Sequence, residues 1–351
     1  MRIFAFLLFC LFPIAYQTDK VVETPSSKPA TTSSDQEAQV FFQSADAGKT
    51  WQNLSLKLPK NLLISSVFAQ DGMVYLGTEN GSLYYNSNPE LNAWNKEDVD
   101  GYFPVELITG INALETRKRI TGIFHGRSGP YVCIDRGGFY RKTAGSKRWK
   151  PMDNTLEEKT INTVIEIQEG TILVGTQSGI YKTVDDGKTW KHIFAKGWIG
   201  SLSSADGFLL GNGPEGLMRS TDGGEHWDCV MADRGGVYNT CIIDDYFAAI
   251  RLGGPLPNSE NNNPPRSSIS KDGGKTWQNL KALMPLPQPI SNLVKAGEYL
   301  FANNSEGIFR SADGGKTWKL VHQSSENDMP MLLKLGVSGQ MVFAVRVIGG
   351  C

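Results

Sequence analysis

Between Thr163 and Phe194 the chain alternates short β-branched runs with turn signals. TVIEI (163–167) and TILVG (171–175) are separated by Gln168-Glu169-Gly170, then Gln177-Ser178-Gly179 leads into IYKT, and a further turn leads into TWKHIF. Runs of four to six such residues bounded by Gly, Ser and Asp predict four successive strands joined by tight turns. The same order of runs and turns recurs along the chain.

The turn before the fourth strand is nearly identical each time. SADAGKTW from Ser44, TVDDGKTW from Thr183, STDGGEHW from Ser220, SKDGGKTW from Ser270 and SADGGKTW from Ser311 share the pattern Ser/Thr-x-Asp-x-Gly-x-Thr-Trp, with His at the seventh place in one copy. SNPELNAW, ending at Trp94, and KTAGSKRW, ending at Trp149, keep the tryptophan and the flanking strands only. The seven tryptophans, Trp51, Trp94, Trp149, Trp190, Trp227, Trp277 and Trp318, lie 37 to 55 residues apart. A repeat near 40 to 45 residues is the length of one four-stranded propeller blade. In each full copy the aspartate (Asp46, Asp185, Asp222, Asp272, Asp313) is expected to accept backbone N–H groups in an Asx-type turn and the Gly to take positive φ. The tryptophan of each (Trp51, Trp190, Trp227, Trp277, Trp318) is expected to start the outer strand and bury its ring between blades.

The first copy follows one short strand, Val40 to Gln43, and the last precedes two, Met331 to Val337 and Gln340 to Val347. The two ends therefore predict one shared blade, which removes the open edge of the ring. The expected fold is an all-β, seven-bladed propeller over residues 40–351.

The first 16 residues carry Arg2 and then the apolar run IFAFLLFCLFPIA, which reads as a secretory signal peptide and is short for a membrane span. Simple cleavage is favoured over lipidation at Cys10, because Phe9 is large where a lipoprotein site has a small residue. Residues 17–39 are rich in Ser, Thr and Pro and read as a flexible tether. The expected location is outside the cytoplasm: secreted, periplasmic or at the cell surface. With 35 Lys and Arg against 36 Asp and Glu, the chain shows no general attraction to nucleic acid, and a monomer is expected. Cys133, Cys229 and Cys241 lie in predicted strands and read as buried free thiols, while Cys351 could pair or react.

Candidate chemistry is sparse. GNGPEG (211–216) has the spacing of a dinucleotide loop, but a strand follows it where that loop needs a helix. His125, His192, His226 and His322 are scattered, no G-x-S-x-G occurs, and the repeated aspartates lack calcium-loop spacing, so no metal or cofactor is expected. From Arg117 to Lys150 ten basic residues face one acid, Asp135. This run reads as a solvated blade face, or alternatively as a patch for an acidic partner through Arg141, Lys147 and Arg148. The turns between second and third strands must converge on the face opposite the repeated turns. They supply the candidate ligand residues Glu79, Asp135, Arg136, Asn212, Glu215, Arg251, Asn303 and Glu306, with a long Pro/Asn loop from Leu252 to Pro265.

The five turns resemble those of the Asp-box (BNR) repeat propellers, a group that includes sialidases, xyloglucan-cleaving glucanases, sortilin-type receptors and photosystem II stability/assembly factors. The resemblance covers the chain after the tether. It implies the scaffold and no particular activity, since fold is not function. No Arg-Ile-Pro of the sialidase type occurs, so no catalytic residue can be carried over. Length, seven-unit count and exported character are nearest to the assembly factors, and the overall resemblance is to these and to sialidase-like propellers. The implied function is an exported, non-catalytic scaffold for a protein or glycan partner, with a sialidase-like glycoside hydrolase as the alternative.

Overall fold

The computed structural model describes residues 41–60, 62–87, 93–99, 119–143, 145–146, 148–244, 246–253, 267–280, 286, 289–324 and 333–347. They form seven four-stranded antiparallel sheets, each ordered as its strands follow in the chain. These are the seven blades of a β-propeller. We number them I (64–98), II (120–151), III (161–194), IV (201–232), V (237–279), VI (292–323) and VII, which joins 333–346 to 41–53.

Blade III shows why the sequence folds this way. Its strands are Ile161–Gln168, Thr171–Thr176, Ile180–Thr183 and Lys191–Phe194. The second strand is buried at every position, because blades cover both of its faces, and so it reads as a nearly continuous apolar run. The outer strand is short, begins with Lys and His and is exposed or half-buried throughout, as an edge that must not recruit another strand should be. First strands of neighbouring blades touch one another all around the ring, blade VII against blade I included.

Blade VII is the predicted closure. Phe41–Ser44 pairs antiparallel with Met341–Arg346, matching Phe42 with Ala344 and Gln43 with Phe343. The strands begin and end within one or two residues of the sequence expectation. Phe41 stacks on Phe343 at 6.1 Å and tilts against Trp94 of blade I at 6.0 Å, so the closing strand is also part of the next interface.

The described core is seven separate apolar clusters, one per interface between blades. The smallest lies between blades IV and V and contains Leu217, Tyr238 and Ala249. Polar contacts reinforce it: Ser203 and Thr240 share a 2.6 Å hydroxyl contact, and the Asn212 amide donates to the Gly236 carbonyl and accepts from the Tyr238 N–H.

Two expectations need correction. The rings of Trp51, Trp190, Trp227, Trp277 and Trp318 do not sit fully buried between blades: all five are half-buried. Each stands immediately before an outer strand, so one side of the ring packs on an interface cluster and the other meets solvent. Their indole N–H groups are spent locally where a bond forms. Trp227, Trp277 and Trp318 donate to the carbonyls of Gly224, Gly274 and Gly315 in their own turns, and Trp190 donates to the Met152 carbonyl of blade II. Cys229 is exposed for the same reason, being on the outer strand Asp228–Ala232; Cys133 is buried and Cys241 half-buried.

Burial at the interfaces therefore predicts unequal costs. Phe301→Ala, at a fully buried site, should destabilise by about 3–5 kcal/mol, and Trp277→Ala by about half as much. Equal losses in chemical denaturation would contradict this picture of the interfaces.

Candidate functional site

The repeated turns consume their own polar groups. In the first, Asp46 Oδ1 accepts the N–H of Lys49 (3.0 Å) and Thr50 (2.9 Å), Oδ2 accepts the Thr50 hydroxyl (2.7 Å), and Ser44 Oγ accepts the Gly48 N–H (2.7 Å). Asp185, Asp222, Asp272 and Asp313 repeat the pattern. The Thr50 N–H, foremost among these donors, brings Asp46 down to about 2, and the hydroxyls of Thr189 and Thr317 do the same for Asp185 and Asp313. A carboxylate so occupied is a turn-former, and no group of three metal-ligating side chains assembles among the described residues. The turn glycine has a second duty. Gly48 has φ 78°, and a Cβ on it would lie 2.4 Å from Phe301 of the preceding blade.

In four blades the residue just before the turn reaches the next blade's turn, a belt that the sequence reading missed. Arg141 makes a bidentate pair with Asp186 in the next blade's turn, Lys182 donates to the Gly223 carbonyl and Glu225, Arg219 to the Gly273 carbonyl, and Arg310 to the Ala47 carbonyl. A basic residue directly before the Ser/Thr, as in Lys182-Thr183, Arg219-Ser220 and Arg310-Ser311, was the available signal.

This belt changes the meaning of the basic run. Arg141 is only 5% exposed, so it is not a solvated docking cation; Asp186 neutralises it and joins blade II to blade III. Lys142 pairs with Glu97, Arg119 with Glu79 and Lys150 with Asp186, all acids of neighbouring blades. Arg127, Arg136 and Arg148 are exposed, while Arg117, Lys118 and Lys147 lie outside the described residues.

On the opposite face the predicted ligand residues separate into two kinds. Asn212 and Asn303 are fully buried; Asn303 accepts from Asn292 and donates to the Leu333 carbonyl of the next blade, so both asparagines hold blades together. Arg251 is buried as well. Its Nε donates to Asp233 Oδ2 (2.8 Å), which also accepts the Tyr238 hydroxyl (2.8 Å), while Asp233 Oδ1 is buried without a hydrogen-bond partner among the described residues. Burial raises the Tyr238 phenol above its usual range, and Asp233 does so further. Asp233 belongs to the link from blade IV to blade V and was not singled out from sequence. Glu79 is paired with Arg119 (3.0 Å). Arg136, at φ 52°, Glu215 and Glu306 are exposed, and Asp135 is half-buried. These residues share a face by topology, in blade-to-blade pairs and without one converging constellation. Leu252 and Gly253 end a strand, and residues 254–265 of the long loop lie outside the described residues.

The GNGPEG segment is the hairpin between Phe208–Gly213 and Gly216–Ser220, with no helix after it. The histidines are dispersed: His192 stacks on Tyr181 at 4.2 Å, and His322 packs on Phe42 at 4.4 Å. Burial raises the Cys133 thiol and pushes Cys241 up to about 12, so neither is a ready nucleophile.

No protein-family model matches this chain, and no curated protein does. Among solved structures it is similar to the GH74 enzyme of Niastella koreensis, at 12% identity and TM-score 0.55, over 81% of this chain and 51% of that one. The GH74 xyloglucanase of Xanthomonas campestris gives 14% and 0.51, over 74% and 45%. The extracellular domain of a one-component system from B. thetaiotaomicron gives 12% and 0.54, over 83% and 42%. The chain spans about half or less of the length of these proteins. Such likeness shows the propeller fold alone, shared by two enzymes and by a domain not described as one.

The buried pair and the one histidine turn can each be tested. Asp233→Ala removes the buried carboxylate that Arg251 faces and should cost about 3–5 kcal/mol, whereas Asp233→Leu with Arg251→Met should recover most of it in urea denaturation. An undamaged single variant would show that the pair is not needed. In the fourth-blade turn, His226 takes the place of Thr, and its bond to Asp222 raises the imidazole above its usual 6.5, aided by Glu225 and Asp228. A raised folded value means the contribution is complete below about pH 6.5 and fades as pH climbs through that value. His226→Thr should flatten this loss in melting curves from about pH 5 to 9; parallel curves would refute it.

Proposed function

We propose that the chain is an exported, non-catalytic Asp-box-type propeller that binds a protein or glycan through the face opposite its repeated turns. The observation that carries this reading is a rim of exposed polar turn residues, Arg136, Glu215 and Glu306, on alternate blades of a closed frame. Their neighbours Asn212, Asn303 and the Asp233–Arg251 pair are locked beneath them. Polar turns held on a rigid scaffold are the usual form of a recognition surface. Of the acids on this face, Glu79, Asp233 and Glu215 each lie against an arginine, and Glu306 is exposed. A paired-carboxylate hydrolase would need one acid free to give a proton and another to act on the sugar.

In this reading residues 1–16 are a cleaved signal, 17–39 a tether and 40–351 the working domain, acting as a monomer without metal or cofactor. Likeness to an extracellular domain supports the location. No helix among the described residues is long and apolar enough to cross a membrane.

The deciding experiment applies the purified domain to immobilised polysaccharides, sialoglycans and extracellular proteins, with binding and sugar release read together. Retention without release is expected, weakened by Arg136→Ala, Glu215→Ala and Glu306→Ala combined at unchanged Tm. Release of reducing sugar would establish the sialidase-like hydrolase alternative, and full retention by the triple variant would move the site off this rim.

A further inference from the structure

The junction of blades I and II departs from the five covered by a full repeated turn. Between blades VI and VII, the Gly48 turn leans on Phe301 and is held by Arg310. Strand register places Tyr75 and Tyr85 of blade I where Phe301 and Arg310 stand in blade VI: Tyr75 pairs with Phe68 and Tyr85, as Phe301 does with Val294 and Arg310. Blade II has lost the turn that would cover them. Lys142 stands in place of its Ser/Thr and Ser146 in place of its Gly.

An aromatic row marks this place. Half-buried Phe68 and Tyr85 flank buried Tyr75 across three strands, with Tyr75 and Tyr85 at 6.1 Å, and exposed His125 of blade II lies parallel to Phe68 at 6.2 Å and 4°, so Phe68, Tyr85 and His125 carry what the row presents to solvent. At the outer end, Glu97 accepts the Tyr85 hydroxyl (2.9 Å), the Trp149 indole N–H (3.1 Å) and the Lys142 ammonium. Lys142 also lies 5.7 Å from the Tyr85 ring and 5.9 Å from that of Trp149.

We propose that this wedge, on the face of the repeated turns, is a binding site for a neutral glycan. The C–H edge of a pyranose carries slight positive charge and packs on the negative face of an aromatic ring. Its equatorial hydroxyls need both donors and acceptors at the rim of that platform. Lys142 has N–H groups beyond the one given to Glu97, and Glu97 Oε2 has a lone pair beyond the one taken by Trp149. The two charges cancel, which favours an uncharged sugar over an acidic one. The site is distinct from the opposite rim, and the two stand or fall separately.

The test titrates the whole domain with cellohexaose, xylohexaose, mannohexaose and chitohexaose, followed by tryptophan fluorescence and calorimetry. Saturable binding to at least one is expected, weakened about tenfold by His125→Ala and by Phe68→Ala. Because Phe68 is half-buried, exposed His125 supplies the variant whose fold is not at risk. Tyr85→Phe keeps the ring but releases Glu97, and should weaken binding less than loss of Phe68. Arg136→Ala on the far face should change nothing. No saturation with any of the four sugars, affinity untouched by both ring variants, or saturation by a proline-rich peptide instead would each overturn the proposal.

Discussion

Each blade buries both faces of its middle strands against its neighbours, and nearly everything else in the molecule depends on that. A single four-stranded blade has two apolar faces and no interior, so it has nothing to cover them with until others stand beside it. The interior is accordingly seven thin clusters rather than one core. Where one of them is meagre, as between blades IV and V, buried polar contacts through Asn212, Asp233 and Arg251 share the task.

The repeated turns are the device by which one blade fits the next. Their carboxylates fold the turn on itself, their glycines let the backbone approach the preceding blade, and at four junctions a cation from that blade clasps the backbone or an acid of the turn. Between blades I and II this pattern has decayed. Tyr85 stands in the cation position, and Lys142 turns back to Glu97, so the junction is rebuilt from aromatic rings and one ion pair.

The fold was legible because period, turn chemistry and strand pattern agree at every repeat. The polar contacts between blades were not, for a physical reason: their partners lie about one blade away in sequence. Arg141 and Asp186 are 45 residues apart, so a window holding the basic run does not hold the acids that neutralise it. The same limit made Asn212, Asn303 and Arg251 look like ligand residues, since a turn reads as polar whether its side chains face solvent or the adjoining blade. Half-burial of Trp51, Trp190, Trp227, Trp277 and Trp318 and exposure of Cys229 went unread although the outer strand is assigned from sequence, because residue type does not mean burial where the outermost strand leaves one side to solvent.

The seam in blade VII imposes an order of events on folding. Among the propeller strands Phe41–Ser44 is synthesised before the others and its partner Met341–Arg346 after them, roughly 300 residues later, so the entropic cost of closing the ring falls late in folding. Until then the nascent chain exposes one unpaired strand edge and two uncovered blade faces, the condition in which chains associate with each other instead of with themselves.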